Sequence, residues 1–353
     1  MSVVGRREFL KGALLTTGGV SAVAAERNDA GSRHGPHVTQ SASSRPFVFD
    51  MHVHMSDPEG ARQGKAYRDI LFKNFEAIYD GEGNRQPNPK KYTYLPGEII
   101  ERMNEGGVDV SLVMVSSGDR RRGRASNLLT YLAEQEEKYP GRLMGVPMYD
   151  PLYEPWRGPE FVDEVADMGF KGIKLLAAYE GYDPYDDKIW RFYERAIERD
   201  ILIDFHTGWA PVASAPLEYG SLAEIHGLDR LGRHFPELKV NLAHAGGPGQ
   251  WSAAVLVTAK HENFSLDFSS WCTYPPQQLM AMLALARDVN CMDKVMFGTE
   301  HSICEPGTVI DQVRNINLWA DRLYYTRFED DDIAKILGLN AARRFKLSPS
   351  LRF

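Results

Sequence analysis

From residue 46 onward, short β-branched apolar runs alternate with stretches whose apolar positions recur at helical spacing. The runs predict strands at 47–50, 110–115, 143–148, 171–176, 201–205, 238–243, 263–268 and 294–298. Helical spacing falls at 96–106, 125–138, 159–168, 187–199, 221–235, 276–289 and 307–323, with 330–346 closing the chain. Eight strands in alternation with helices predict an α/β fold, a (β/α)8 TIM barrel of parallel strands. An open doubly wound sheet would carry a glycine-rich first turn, whereas the first strand here leads into Asp50-Met51-His52-Val53-His54. One segment breaks the alternation. Residues 57–95, between the first strand and its helix, hold Gly, Pro, Asn, Lys and several aromatic residues. That length and content predict a cap insertion over the barrel mouth rather than a plain connection.

In a parallel barrel every C-terminal strand end opens on one face, so residues remote in sequence converge there. His52 and His54 are two positions apart on a strand and therefore share a face. His206 closes the run 201–205, His244 closes 239–243, and Glu300 follows 294–299. Imidazoles with a carboxylate suit a divalent transition metal, zinc first, with a position open for water. Asp50 stands behind the two histidines as a candidate orienter. Arg120, Arg121, Arg122 and Arg124 follow the second strand, and Arg124 is the candidate to clamp a substrate carboxylate. Trp209 and Tyr179, with Tyr149, Tyr182 and Trp271, follow strand ends and are candidates to wall an aromatic pocket. Glu180 and Glu218 are lesser candidates for proton transfer.

Four segments together resemble the amidohydrolase superfamily, in the branch of aminocarboxymuconate semialdehyde decarboxylases and related metal-dependent hydrolases and lyases. They are Asp50-Met51-His52-Val53-His54, Phe205-His206-Thr207-Gly208, the run from Phe235 to Gly247 through Ala243-His244-Ala245-Gly246, and Phe297-Gly298-Thr299-Glu300. The resemblance spans about residues 46–347. It implies one zinc ion, or another divalent metal, held by His52, His54, His206 and Glu300, with His244 and Glu300 as the catalytic groups. Lys174 lies where dinuclear relatives carry a carboxylated lysine. The branch usually places Asp where Glu300 stands, and glutamate reaches one methylene further. This departure shifts the expectation from decarboxylation toward chemistry in which water is a reactant. The expected function is hydrolysis of a small carboxylated, aromatic-derived or unsaturated compound through a zinc-activated water. A nonoxidative decarboxylase (carboxy-lyase) or hydratase could use the same site. A barrel that binds metal or ligand without turnover is the rival from another class.

The remaining features bound the setting. The 353 residues carry a net charge of −7, with 43% hydrophobic and 25% charged residues, as in ordinary globular proteins. There is no basic footprint for nucleic acid. Arg6-Arg7-Glu8-Phe9-Leu10-Lys11, an apolar stretch over 13–22 and Ala22-Val23-Ala24 read as a Tat signal over residues 1–25. The expected location is periplasmic or extracellular, with the Tat export machinery as a partner and no stable membrane anchor after cleavage. Residues 26–45 read as a disordered linker, and 46–350 as the barrel domain. The expected partner of the mature chain is a small-molecule substrate, and a homodimer is admitted. Cys272, Cys291 and Cys304 allow at most one disulfide, and buried unpaired thiols are the favoured reading. No G-x-S-x-G elbow, phosphate loop or dinucleotide fingerprint is present.

Overall fold

The computed structural model describes residues 45–58, 75–89, 94–115, 125–152, 155–209 and 222–349. The predicted leader, residues 26–44 of the predicted linker, Arg120 to Arg124, Glu218 and part of the 57–95 insertion lie outside the described residues, whereas Arg45, read as the end of the linker, pairs with Asp109 at 2.6 Å.

Eight parallel strands carry the fold: β1 (Phe49–Met55), β2 (Val110–Val115), β3 (Leu143–Val146), β4 (Gly172–Leu175), β5 (Leu202–His206), β6 (Val240–Ala243), β7 (Phe264–Asp267) and β8 (Val295–Met296). β1, β2 and β3 pair in sequence order. After Pro147, which has no N–H to give, the third strand resumes as Met148–Tyr149 and pairs with β4. From there β4 to β8 pair consecutively. The last seam is held by backbone bonds: Met51 N to Phe297 O at 2.9 Å, Glu300 N to His52 O at 2.8 Å and His54 N to His301 O at 2.9 Å. This is the TIM-barrel architecture that the strand–helix alternation predicts.

Period-two alternation sorts each strand into two layers. Ile173, Leu175, Ile203, Phe205, Val240, Leu242 and Leu266 pack outward with helix residues in the main apolar cluster. Their neighbours Lys174, Asp204, Asn241 and Asp267 therefore point inward, and all four are buried. The outer layer comprises α1 (Pro96–Gly106), α2 (Ala125–Lys138), α3 (Gly158–Asp167), α4 (Trp190–Glu198), α5 (Leu222–His234), α6 (Gly247–Lys260), α7 (Pro276–Asp288) and α8 (Pro306–Arg314).

Several elements differ from their sequence patterns. Helix α6 has no counterpart among the helices read from spacing. Its Gly247-Pro248-Gly249 start reads as loop, and its apolar residues run around the helix, leaving Leu256 exposed. The first strand extends through Met55 and so contains both His52 and His54. The stretch 307–323 breaks at Asn315, where α8 ends and Ile316–Arg322 begins. In the closing segment, Lys335–Leu339 widens into a π turn whose Ile336 carbonyl accepts from Phe297 N at 3.0 Å. The helix thus gives one carbonyl to the end of β8.

Within the insertion, Ala77–Tyr79 and Arg85–Pro87 form an antiparallel hairpin. Trp319 Nε1 donates to Gly81 O at 2.9 Å and Gln312 Nε2 to Tyr79 O at 2.6 Å. Asn88 Nδ2 donates to Phe75 O and to Ile303 O, each at 3.0 Å, which ties the hairpin to the loop after β8. Cys272 and Cys304 form a disulfide, Cα–Cα 6.2 Å, between the segments after β7 and β8. This corrects the reading of unpaired thiols for two of the three cysteines; Cys291 is buried and free. Among the described residues no helix is long and apolar enough to cross a membrane.

Candidate metal centre

His52 and His54 project from the C-terminal part of β1 toward Glu300, in the loop after β8. His52 Nε2 lies 2.9 Å from Glu300 Oε2, and His54 Nε2 lies 3.0 Å from Glu300 Oε1. Glu300 sits in left-handed backbone at φ 61°, a conformation that a residue with a Cβ rarely adopts. Asp50 helps to hold it there. Asp50 Oδ1 accepts from Thr299 N at 2.9 Å and from His52 N at 3.1 Å, and Oδ2 accepts from Thr299 Oγ1 at 2.6 Å. Asp50 therefore orients the backbone on both sides of the cluster, rather than an imidazole as its place behind the histidines suggested. Burial pushes Asp50 up to about 7, against the bonds from Thr299 and His52.

His244 begins the loop after β6 at φ 64°. Its Nδ1 is 2.8 Å from Ser269 Oγ and 3.6 Å from Glu300 Oε2. Its ring centroid is 4.7 Å from that of His52 and 4.5 Å from that of His206. Gly208, after β5, meets the same loop: a Cβ there would lie 2.5 Å from the Gly246 carbonyl carbon. Only glycine lets the two loops approach so closely.

The electrostatics follow from burial and the shared carboxylate. Burial opposes ionisation of Glu300, yet His52, His54 and His244 hold it well below the usual carboxylate range. Burial likewise opposes a charge on His52, but Glu300 and Asp267 together lift the ring to about 9. His54 is lowered by burial, His206 falls well below its ordinary value from burial and the neighbouring His244, and burial brings His244 down to about 4.

Two sets of potential ligand atoms lie close enough for one ion: His52, His54 and Glu300; and His52, His244 and Asp267. His206 joins neither set. Its Nε2 and the Nδ1 of His52 are buried with no hydrogen-bond partner among the described residues, and His52 Nε2 and Glu300 Oε2, although 2.9 Å apart, do not meet in hydrogen-bond geometry. Buried lone pairs left in this state carry a desolvation cost that a divalent cation would remove. Imidazole with carboxylate is a donor set for zinc, and admits manganese.

Other sequence candidates fall in varied places. Tyr179 meets His206 edge-on, ring centroids 4.8 Å apart. Trp209 is 45% exposed and faces Phe75, centroids 6.5 Å apart. Tyr149 stacks on Phe161 at 4.3 Å, and Tyr182 is buried in the outer core, so both pack the fold rather than wall the mouth. Buried Trp271 donates through Nε1 to His244 O at 2.9 Å and so supports the His244 loop from behind. Lys174 pairs with Asp204 at 2.9 Å, both fully buried, which occupies its Nζ with a carboxylate partner. Sequence reading missed the inward groups that link these residues. Asn241 Nδ2 donates to Asp204 Oδ1 and to Asp267 Oδ2, each at 2.7 Å, and Asp267 in turn binds Ser269. The available signal was a polar residue at an inward position of each otherwise apolar strand.

Comparison with known proteins agrees with this architecture. A 5-carboxyvanillate decarboxylase from Novosphingobium aromaticivorans, complexed with manganese, is similar at 15% identity and TM-score 0.60, covering 86% of this chain and 96% of its own. A 2,6-dihydroxybenzoate decarboxylase from Rhizobium is similar at 18% identity and TM-score 0.59, covering 86% and 99%. An amidohydrolase from Burkholderia multivorans with bound zinc is similar at 16% identity and TM-score 0.57, covering 86% and 100%. Among curated proteins no sequence matches. The family profile described as Amidohydrolase matches residues 49–347, from the first residue of β1 to beyond the closing helix. On that match, and with the barrel built as described, the chain belongs to the amidohydrolase family.

Proposed function

We propose that this chain is a metal-dependent hydrolase of a small, carboxylated, aromatic-derived or unsaturated compound. The observation that carries the reading is the convergence of the buried ring of His52 and the partly buried ring of His54 on the Glu300 carboxylate at 2.9–3.0 Å, with His244 beside them and no donor geometry that satisfies every nitrogen of His52. His52, His54 and Glu300 would hold the ion, with His206 near enough to the group to be tested as a further ligand. A divalent ion bound there would polarise a substrate oxygen and acidify a water. A free oxygen of Glu300, bound to the ion through the other, or the ring of His244 would accept a proton from that water. A cavity of about 310 Å³ lined by Phe75, Glu76, Tyr79, Arg85, Trp209 and Tyr274, none of them a residue of the cluster, has the aromatic walls and guanidinium that would suit the rest of such a substrate. A carboxy-lyase is the second reading, favoured by the two decarboxylases among the similar structures.

Metal content and product analysis test both. The purified protein should carry zinc or manganese, and His52→Ala should lose the ion and with it turnover. Hydroxybenzoates and unsaturated ring-cleavage acids would be incubated in ¹⁸O-water. Hydrolysis places ¹⁸O in a product carboxylate without releasing carbon dioxide. Carbon dioxide released with no ¹⁸O in the organic product would give the reaction to the carboxy-lyase reading. A metal-loaded protein that turns over none of them would favour the binding barrel.

We also infer that the chain is exported folded by the twin-arginine route. The leader sequence supports this, and so does the Cys272–Cys304 bond, since disulfides persist in oxidising compartments. Arg6→Lys with Arg7→Lys should leave the protein in the cytoplasm; its undiminished arrival outside would overturn the route.

A further inference from the structure

Resting on the reading of His244 as a proton acceptor, the geometry points to Ser269 and Asp267 as positioning residues that fix His244 in one tautomer, with Nδ1 protonated and Nε2 carrying the free lone pair. Among the described residues, the polar atoms in contact with Nδ1 can each accept a hydrogen bond from it: Ser269 Oγ at 2.8 Å, the Ser269 carbonyl at 3.4 Å and Glu300 Oε2 at 3.6 Å. The hydroxyl alone could act either way, as donor or acceptor. Its single proton is already committed, because Ser269 Oγ lies 2.5 Å from Asp267 Oδ1 and donates to it.

The Asp267 carboxylate is in turn saturated as an acceptor. Oδ1 also takes the N–H of Ser269 at 3.0 Å and that of His244 at 3.3 Å, and Oδ2 takes the Asn241 amide at 2.7 Å. The orientation of that amide is fixed as well, since its nitrogen faces two carboxylates while its oxygen accepts from Ser265 Oγ at 3.1 Å. The direction of donation is thus set from the amide inward: Asn241 to Asp267, Ser269 to Asp267, His244 to Ser269.

The same short segment grips His244 at its backbone. Asp267 Oδ1 binds His244 N, and Trp271 Nε1 binds His244 O, which together stabilise a backbone at φ 64°. On the far side of the ring, Nε2 makes no hydrogen bond among the described residues, and His244 keeps a 6% exposure at the mouth of the barrel. A ring held at Nδ1 and open at Nε2 is arranged to take a proton from substrate or water through Nε2. Ser269 and Asp267 touch neither, and act through the ring.

The test reads the tautomer directly, whatever reaction the enzyme performs. Long-range ¹H–¹⁵N spectra of zinc-loaded, ¹⁵N-histidine-labelled protein would be recorded, with His244 assigned by its loss in His244→Asn. The expected result is a protonated Nδ1 and an unprotonated Nε2. Ser269→Ala should abolish the single tautomer, Ser269→Thr should restore it, and Asp267→Asn, which weakens the acceptor, should broaden it. On any substrate found, Ser269→Ala should lower kcat by roughly 10–100-fold with KM unchanged, and Ser269→Thr should recover it. A native His244 carrying its proton on Nε2 would overturn the assignment. Loss of the Nδ1 proton on zinc binding would also overturn it, because His244 would then belong to a ligand set with His52 and Asp267. An unchanged tautomer in Ser269→Ala would remove Ser269 from the role. Failure to find a hydrolytic substrate leaves the spectra decisive, so the two readings fail separately.

Discussion

The two sides of the barrel interior are equally buried and built on opposite principles. On one side, β1, β2, β3 and β8 bring Phe49, Met51, Val110, Leu112, Val146 and Met296 into a small apolar cluster. On the other, β4 to β7 carry Lys174, Asp204, Asn241 and Asp267, joined strand to strand by hydrogen bonds of 2.7–2.9 Å. The apolar side is non-directional: a lost methyl group costs transfer energy and leaves a cavity. The polar side is directional, and removing one member leaves its neighbour buried without a partner. A buried ion pair is weak evidence for stability, since desolvation offsets much of the attraction. What the polar chain supplies is orientation. It ends at Asp267, beneath His52 and behind His244, and the site stands at that end of the chain.

The largest expected effect on the folded state comes from cutting the polar chain at its first link. Lys174→Met strands Asp204 as an uncompensated buried charge and should cost about 3–5 kcal/mol in chemical denaturation. Adding Asp204→Leu should recover much of that loss, although Asn241 then forfeits one acceptor. If the double variant were no more stable than the single one, the pair would be contributing stability rather than direction, and the contrast between the two sides would fail.

A smaller loss, and a cleaner one, is expected opposite. Leu112→Ala deletes fully buried aliphatic volume and should cost about 2–4 kcal/mol. Its metal content and kcat should match the parent, because no hydrogen bond leads from Leu112 to the site. Loss of the metal in Leu112→Ala would show that the apolar side also sets the ligand geometry.

The same contrast explains what could be read from the sequence. The apolar and helical periods give the barrel, since eight strands follow from spacing and all but the sixth are followed by a helix read the same way. Strand ends and period two bring His52, His54, Glu300 and His244 to one face, where the structure places them within a few ångströms of each other. Asp204, Asn241 and Asp267 escaped because a strand with one polar residue still reads as an apolar run, and their partners lie on other strands. The Cys272–Cys304 bond has no local signature, because the convergence of two strand-end loops decides it. The cap hairpin did carry a signal in Asp80-Gly81-Glu82-Gly83-Asn84 between its strands. Helix α6 was hidden by glycines that its loop requires: Gly246 and Gly247 take φ 74° and 56°.

The smallest expected effect lies at the rim, away from both sides. Arg85 stands on the cap hairpin, lines the cavity with Trp209 and Tyr274, and has no hydrogen bond or ion pair from its side chain among the described residues. If the substrate carries a carboxylate, that guanidinium is placed to meet it, and the contact remains solvent-exposed. An exposed charged contact contributes roughly 1 kcal/mol, so Arg85→Gln should raise KM about five- to tenfold. Such a contact is made equally in the ground and transition states, so kcat should hold. Arg85→Lys keeps the charge but loses the planar fork, and should fall between the two. This is the reverse of the split expected for Ser269→Ala, where kcat falls and KM stays. Should Arg85→Gln instead lower kcat and kcat/KM together, the hairpin would be tightening on the substrate as it reacts. The cap would then belong with the polar chain that orients the chemistry, and the division between a site that directs and a rim that only binds would have to be redrawn.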